Sequence, residues 1–301
     1  MSSWRKTAPW PPRSSPSIDM SQNAKIVMDA VRAADHDRYL TALYAPADKR
    51  EALFSLYAFN AEIAGIRDRI HEALPGEVRL QWWRDLIAAD NDAAVGHPVA
   101  DALKATISGH HLPKLAFDNM LEARIFDLYD DPMPSRTDLE GYCGETAAAL
   151  IQLAAMVLDP VEAPRFAELA GRAGCAQAMT GLLLLLPLHR KRGQCFVPAD
   201  ILAAAGSSPE EFVAGDGGPG ARRAVAAMIA LAREHLSAFE QGAAELPASL
   251  RPAFLPLALS RAYLDRTEEA RQSTLDGVAR LSALRRHWLL VRRASKGWPA
   301  L

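Results

Sequence analysis

The chain has 301 residues, half of them hydrophobic and 23% charged, with a formal net charge of −2. This near balance of charge argues against a general nucleic-acid-binding protein, because such proteins concentrate an excess of Lys and Arg. Three cysteines without a CxxC pair are too few for a disulfide framework, so we expect free, buried thiols in a reducing compartment. They are Cys143, Cys175 and Cys195.

The first 20 residues differ from the rest in composition. Three basic residues and no acid precede Asp19, as in a targeting presequence, but four prolines oppose the amphipathic helix that a presequence requires. We therefore predict a disordered tail or a leader over 1–20. No Gly/Ser linker divides the remainder, so residues 21–301 are predicted to form a single domain.

The remainder has the composition of a nearly all-helical protein, since Ala and Leu dominate and β-branched residues are sparse. Thr137 or Asp138 is expected to cap the sixth helix. No unbroken apolar run reaches the roughly 18 residues that a membrane-spanning helix needs. The predicted helices cover 21–44, 46–72, 75–90, 98–109, 113–129, 136–158, 160–189, 219–244, 250–266 and 273–294.

Two segments carry the motif evidence. Residues 53–68 read LFSLYAFNAEIAGIRD, and residues 172–198 read RAGCAQAMTGLLLLLPLHRKRGQCFVP. Both resemble the signature segments of the squalene/phytoene synthase family, which joins prenyl diphosphates head to head. In active members each segment is a helix with carboxylates spaced four apart, so both lie on one face, and the facing pairs hold Mg²⁺ and a diphosphate. The resemblance implies an all-α isoprenoid-synthase (terpenoid synthase) bundle around a central cavity.

The first segment keeps structural residues of this family and lacks most of the residues that bind metal and diphosphate. Tyr57–Phe59 matches the Tyr-Ala-Phe of the family. The leading aspartates fall on Ala64 and Gly65, and the diphosphate-binding Arg falls on Ala61. Of the expected carboxylates in this segment, only Asp68 remains.

The second segment shows the same pattern of loss. Arg192–Pro198 matches the Arg-Gly-Arg-x-Tyr-Leu-Pro of the family. Counted back from that anchor, the two expected aspartates fall on Leu185 and His189. The Gln and Asn of the same helix fall on Ala178 and Gly181.

Further elements connect the chain to one branch of this family. Asp138–Cys143 matches the Asp-Leu-x-x-Tyr-Cys of the family, whereas His36–Tyr39 replaces its phosphate-gripping Ser-Ser-Phe. Phe59–Glu72 followed by Arg79–Asp85 is similar to the divergent branch that includes the mitochondrial respiratory complex I assembly factor.

The helix pattern and the resemblance together indicate which residues line the reshaped pocket. Glu62 and Glu145 are acids on otherwise apolar helix faces, which is unusual, and Arg190 or Arg192 could pair with them. We favour a structural ion-pair network over catalysis, because a buried pair is weak evidence of function. The expected pocket-lining residues are Tyr57, Asn60, Glu62, Asp68, Tyr142, Glu145, Gln177, His189, Arg190 and Arg192.

Catalysis of the family reaction is not expected. Losing one preorganised donor costs an enzyme site about 3–4 kcal/mol, and several are missing here. His189 cannot replace an aspartate, because Mg²⁺ takes oxygen ligands. We therefore expect no cofactor. If the protein is active, its Mg²⁺ ligands would be Glu62, Asp68, Glu72 and Asp127.

Three functions remain open. The first, implied by the resemblance, is a non-catalytic protein in respiratory complex I assembly at the membrane, with complex I subunits or assembly intermediates as partners. The second is an active head-to-head prenyltransferase of the phytoene or squalene synthase type. The third is a carrier that holds an isoprenoid in an apolar cavity near Leu182–Leu186. The expected location is cytoplasmic or peripheral on the inner membrane, on the matrix side if mitochondrial.

The C-terminal segment, 278–298, suggests a membrane surface as a further partner. It holds six Arg or Lys residues and no acid. Leu281, Leu284, Trp288, Leu289 and Val291 interleave with them, and basic amphipathic helices with Trp lie on anionic membranes. The alternative is an ordinary last helix that packs its apolar stripe on the core with its arginines outward.

Overall fold

The computed structural model describes residues 20–70, 72–89, 93–270, 275, 277 and 280–298, with side chains described from residue 22. All regular secondary structure within these ranges is helical, without a strand, so the all-α prediction is confirmed. The expected tail lies outside the described residues except for Met20. The division into 1–20 and 21–301 stays a prediction.

The α-helices differ in length from four to 24 residues. Short 3₁₀ segments connect several of them, at Ala47–Lys49, Phe126–Leu128, Ala163–Phe166, Ala243–Glu245 and Leu255–Leu259. The α-helices are α1 (Met20–Ala34), α2 (His36–Ala42), α3 (Arg50–Ala64), α4 (Ile66–Arg69), α5 (Ala73–Ala88), α6 (Pro98–Gly109), α7 (Lys114–Ile125), α8 (Arg136–Cys143), α9 (Ala149–Leu158), α10 (Ala167–Leu184), α11 (Leu186–Lys191), α12 (Ala199–Ala204), α13 (Pro209–Ala214), α14 (Pro219–Gly242), α15 (Arg251–Phe254), α16 (Ser260–Ala270) and α17 (Ala283–Lys296).

Three of the predicted long helices are each interrupted at a single residue. Asp35 separates α1 from α2, and its carboxylate accepts a hydrogen bond from the Arg38 amide at 2.9 Å, which caps α2. Gly65 separates α3 from α4, and Leu185 separates α10 from α11. Pro187 lies in the first turn of α11, where it lacks an amide donor and its ring crowds the carbonyl four residues earlier.

The helix predicted over 136–158 is continuous but not uniform. Its cap is Ser135, whose hydroxyl accepts from the Asp138 amide at 3.2 Å, so the prediction of Thr137 or Asp138 is wrong. A π-helix, Gly144–Ala148, joins α8 to α9. By length and composition this stretch could cross a membrane, although half of its most apolar window is buried inside the bundle.

Aromatic clusters hold the bundle together. Phe59 of α3 packs edge to face on Trp83 of α5 and Phe117 of α7, with ring centroids 5.1 and 5.6 Å apart. These three side chains are fully buried, and aromatic pairs in this geometry add stabilisation beyond area burial. The three cysteines are free and buried, as predicted.

Helix α10 crosses the π-helix at close range. A Cβ atom added to Gly174 would lie 2.3 Å from the Cα atom of Ala148. Only glycine allows the two backbones to approach this closely. This crossing fixes α10, the helix of the second signature segment, against the helix that carries Tyr142.

Candidate functional site

An ion pair connects the two signature segments. Asp68 lies in α4, and Arg192 is the residue at the C-terminal end of α11. Asp68 is the carboxylate that the resemblance leaves in the first segment. Its charge is balanced by a guanidinium of the second segment, so a metal ion at Asp68 would have to displace Arg192.

The neighbouring acids are also engaged or exposed. Glu62 pairs with Arg69 at 2.9 Å, and Arg67 donates to Asp130 at 2.8 Å. The expected pairing of Glu62 with Arg190 or Arg192 is therefore wrong. Glu72 is exposed.

A metal site is not assembled by the candidate carboxylates. Among the residues with described positions, no three His, Cys, Asp or Glu side chains come together in a way that could hold a metal ion. The set considered for an active enzyme therefore does not form such a group of three in this structure. Its members are Glu62, Asp68, Glu72 and Asp127.

A buried polar network lies between α3, α7 and α8. Arg124 donates to Asp127 at 2.9 Å and to the Tyr142 hydroxyl at 2.6 Å. That hydroxyl donates to the other Asp127 oxygen at 2.8 Å, and a longer contact of 3.5 Å joins Arg124 to the Asn60 side-chain oxygen. Asp127, which matches an aspartate of the family, is thus neutralised by a neighbouring arginine.

The charge state of this network follows from its surroundings. Burial lowers the pKa of Arg124, but the facing Tyr142 and Asp127 outweigh that effect and raise the pKa above its ordinary value. Burial also raises the pKa of Tyr142 well above its ordinary value. Near neutral pH the network therefore holds one guanidinium cation and a neutral phenol.

His189 occupies the position of a lost aspartate as a neutral base. Its side chain is buried, and its ring lies 4.7 Å from that of Phe196. Burial lowers the pKa of His189 to about 4, helped by the charge of Arg192 and opposed by Asp68. An uncharged imidazole in this position cannot replace a carboxylate as a Mg²⁺ ligand.

Arg190 and Gln194 hold the end of the second segment in place. Arg190 donates to the backbone carbonyls of Phe212 and Leu275 at 2.9 and 3.2 Å, and also to that of Gly215. Gln194, at a position where the family motif has Arg, donates to the Asp127 carbonyl at 2.9 Å. These contacts show a structural use of both side chains.

His36–Tyr39, the segment that replaces the phosphate-gripping element of the family, connects helices. Arg38 pairs with Asp35 at 2.6 Å and lies 5.9 Å from the ring centroid of Tyr57. Tyr57 is buried, and burial raises the pKa of its hydroxyl to about 12. Asp37 accepts hydrogen bonds from Tyr263 and Arg286, both at 2.9 Å.

The two remaining expected pocket residues, Glu145 and Gln177, differ in exposure. Glu145 is exposed on the π-helix. Gln177 is half-buried, and its side-chain oxygen is buried without a hydrogen-bond partner among the described residues.

One face of α10 is apolar and partly accessible. It carries Ala178, Gly181 and Leu182, whose spacing places them on one side of the helix, and Leu185 follows directly after the last helical residue. Leu185, at a position of a lost aspartate, is 45% exposed. A Cβ atom added to Gly181 would meet nothing within 4 Å, so open space lies beside it. The face that the resemblance assigns to polar ligands is therefore suited to an apolar molecule.

Sequence reasoning missed Arg124, the centre of the buried network. A signal for it existed, because Arg124 precedes Asp127 by three residues, and residues at that spacing meet on a helix. No sequence signal connected Arg124 to Asn60, which is 64 positions away in the chain.

Comparison with known proteins agrees with the resemblance. The family model for squalene/phytoene synthase matches residues 31–286. A Bos taurus protein named NADH dehydrogenase (ubiquinone) complex I, assembly factor 6 is 29% identical over 255 residues, covering 84% of this chain and 76% of the relative. Phytoene synthase 1 of Arabidopsis thaliana is 26% identical over 239 residues, covering 76% of this chain and 56% of the relative.

Solved structures share the fold at low sequence identity. A dehydrosqualene synthase in complex with a ligand has a TM-score of 0.80 and 16% identity, with 92% of this chain and 96% of that one covered. Squalene synthase HpnC from Alicyclobacillus acidocaldarius has a TM-score of 0.71 and 18% identity, with 86% and 96% covered.

Proposed function

This chain belongs to the squalene/phytoene synthase family, and we propose that it is a non-catalytic member that acts in the assembly of respiratory complex I. The observation that carries this proposal is the pairing of both family carboxylates with arginines, Asp68 with Arg192 and Asp127 with Arg124. The relatives named as complex I assembly factor 6 support the assembly role.

Electrostatics accounts for the loss of catalysis. Ionising a prenyl diphosphate requires strong stabilisation of the leaving anion, which metal ions supply in enzymes of phosphate chemistry. Each missing preorganised donor raises the barrier by about 3–4 kcal/mol. Arg124 and Arg192 do not compensate for the missing ions, since each is already paired with a carboxylate.

The proposed partners are subunits or assembly intermediates of complex I. A protein that assists assembly without turnover acts by binding, so its outer surfaces rather than its interior would recognise these partners. We place this action on the cytoplasmic face of the inner membrane, or on the matrix face in a mitochondrion.

A first experiment tests catalysis directly. Purified protein is incubated with farnesyl or geranylgeranyl diphosphate and Mg²⁺, with an active phytoene synthase as the positive control. We expect no head-to-head product. Clear turnover would establish the prenyltransferase alternative, with Mg²⁺ as its cofactor.

A second experiment tests the assembly role in cells. Deleting the gene should lower NADH:quinone oxidoreductase activity, and the wild-type gene should restore it. Asp68→Asn should restore it equally well, because a non-catalytic protein does not need this carboxylate for chemistry. Unchanged complex I activity after deletion would contradict the assembly role, and failure of the Asn variant alone would point to a catalytic requirement.

The apolar face of α10 favours a second candidate function, an isoprenoid carrier. Mass spectrometry of lipid extracted from the purified protein should then detect an isoprenoid. Gly181→Leu fills the open space beside α10 and should lower the bound lipid, whereas Gly109→Leu, at an equally open position in α6, should not. Protein without extractable isoprenoid would contradict this function.

A further inference from the structure

The C-terminal helix α17 is attached to the bundle by its inner face. Leu290 is fully buried in a small apolar cluster with Leu255 and Leu259. Arg286 pairs with Asp37 at 2.9 Å, and Trp298, just beyond the helix, packs edge to face on another buried ring. The orientation of α17 on the protein is thus fixed by several independent contacts.

Its outer face presents large apolar side chains to solvent. Leu284, Trp288 and Val291 are 85%, 59% and 52% exposed. Their spacing of four and three residues places them in one stripe along the helix. The alternative in which the last helix packs its whole apolar stripe on the core is therefore wrong for these residues.

Basic side chains border this stripe. Arg285, Arg292 and Lys296 are exposed and follow one another at helical spacing along one side of it. The Arg292 guanidinium lies 5.3 Å from the ring centroid of Trp288. The described segment 280–298 contains no acid, although the whole chain is slightly acidic.

We propose that α17 docks the protein on an anionic membrane surface. Leu284, Trp288 and Val291 enter the boundary between headgroups and acyl chains, and the three basic side chains contact lipid phosphates. A Trp-containing apolar stripe bordered by cationic side chains matches such a surface. This inference goes beyond the proposed function and does not depend on it, because a vesicle assay contains no respiratory complex.

A second exposed apolar pair offers a matched control. Leu74 and Val78 of α5 are 71% and 64% exposed and lie one helical turn apart. The sequence near them is not uniformly basic, since Glu77 and Asp85 belong to the same helix. Replacing them removes exposed apolar area without altering α17.

The experiment is sedimentation of the full chain with vesicles of phosphatidylcholine alone or of phosphatidylcholine mixed with phosphatidylglycerol. The protein should bind the anionic vesicles and bind the neutral ones far less. Replacing Leu284, Trp288 and Val291 together by Ser should reduce binding to the background level. The control Leu74→Ser/Val78→Ser should bind as the parent does.

The charge contribution is tested separately. Each basic side chain near an anionic surface accounts for about a fivefold change in partitioning, so Arg285→Gln/Arg292→Gln should weaken binding about 25-fold. The control Arg165→Gln/Arg266→Gln removes the same charge from exposed positions in other parts of the chain and should bind as the parent does.

Circular dichroism and the oligomeric state are measured for every variant. Folded, monomeric α17 variants with weakened binding support the proposal. Equal binding by the α17 variants and the parent, or equal binding to neutral and anionic vesicles, overturns it. A parent dimer that the serine variant converts to a monomer also overturns it, because the stripe would then be a contact between two copies.

Discussion

Arg192 forms an ion pair with Asp68, and this contact joins the two segments that resemble metal-binding helices. In an active member of the family, metal ions and a diphosphate lie between these segments. Here one side chain from each segment makes the connection directly.

The energy of this ion pair should be small. Asp68 is 50% and Arg192 29% exposed at the side chain, and pairs that solvent screens are worth about 0–1 kcal/mol. A double-mutant cycle with Asp68→Asn and Arg192→Gln should give a coupling energy in that range, measured by urea unfolding. A coupling of several kcal/mol would show that the pair is desolvated in solution and that the connection between the segments is stronger than the structure indicates.

The buried network should be far more sensitive. Arg124→Met leaves Asp127 buried without its cation and should lower the free energy of unfolding by about 3–5 kcal/mol. Arg124→Met/Asp127→Leu removes both charges and should cost clearly less than the sum of the single changes. Denaturant unfolding of the three variants measures this, and additive losses would contradict the pairing.

His189 should make stability depend on pH. Its pKa falls from 6.5 to about 4 on folding, so the unfolded chain binds a proton that the folded protein does not. The corresponding stability is present above pH 6.5 and is lost as the pH falls toward 4, by about 3 kcal/mol in all.

The comparison for this prediction is His189→Gln, which should lose less stability than the parent between pH 7 and 4. His287→Gln, which removes an exposed imidazole from α17, serves as the control and should keep the steep profile. Parallel profiles for the parent and His189→Gln would show that the imidazole titrates normally.

Gly174 should not tolerate a methyl group. A Cβ atom there would overlap the Ala148 backbone, and overpacking a core costs about 1–3 kcal/mol. Gly174→Ala should therefore lower the midpoint of thermal unfolding. Gly171→Ala, where a Cβ meets nothing within 4 Å, should raise it, because Ala favours a helix by up to about 1 kcal/mol over Gly. A stabilising Gly174→Ala would mean that α10 lies farther from the π-helix.

The sequence predicted the fold class well and the helix ends less well. Helical composition and the resemblance together identified the bundle. The interruption at Gly65 was missed because an isolated glycine inside a helical pattern is an ambiguous signal. Helices α12 and α13 were also missed, although Ser208 followed by Glu211 is a capping-box pattern and both of its hydrogen bonds are present.

The candidate site was predictable in part. Residue matching alone located the positions without carboxylates. It could not show which cations neutralise the carboxylates that remain, because Arg192 reaches Asp68 and Arg124 reaches Asn60 only through tertiary packing. Glu145 shows the opposite error, since the helix pattern assigned it to an otherwise apolar face, whereas it is exposed in the π-helix.

The side chain of Arg124 acts as an internal counterion for Asp127. The charge of this buried carboxylate is therefore balanced as the protein folds, by a side chain of the same chain. Burying Asp127 thus does not require a cation from the surrounding solution.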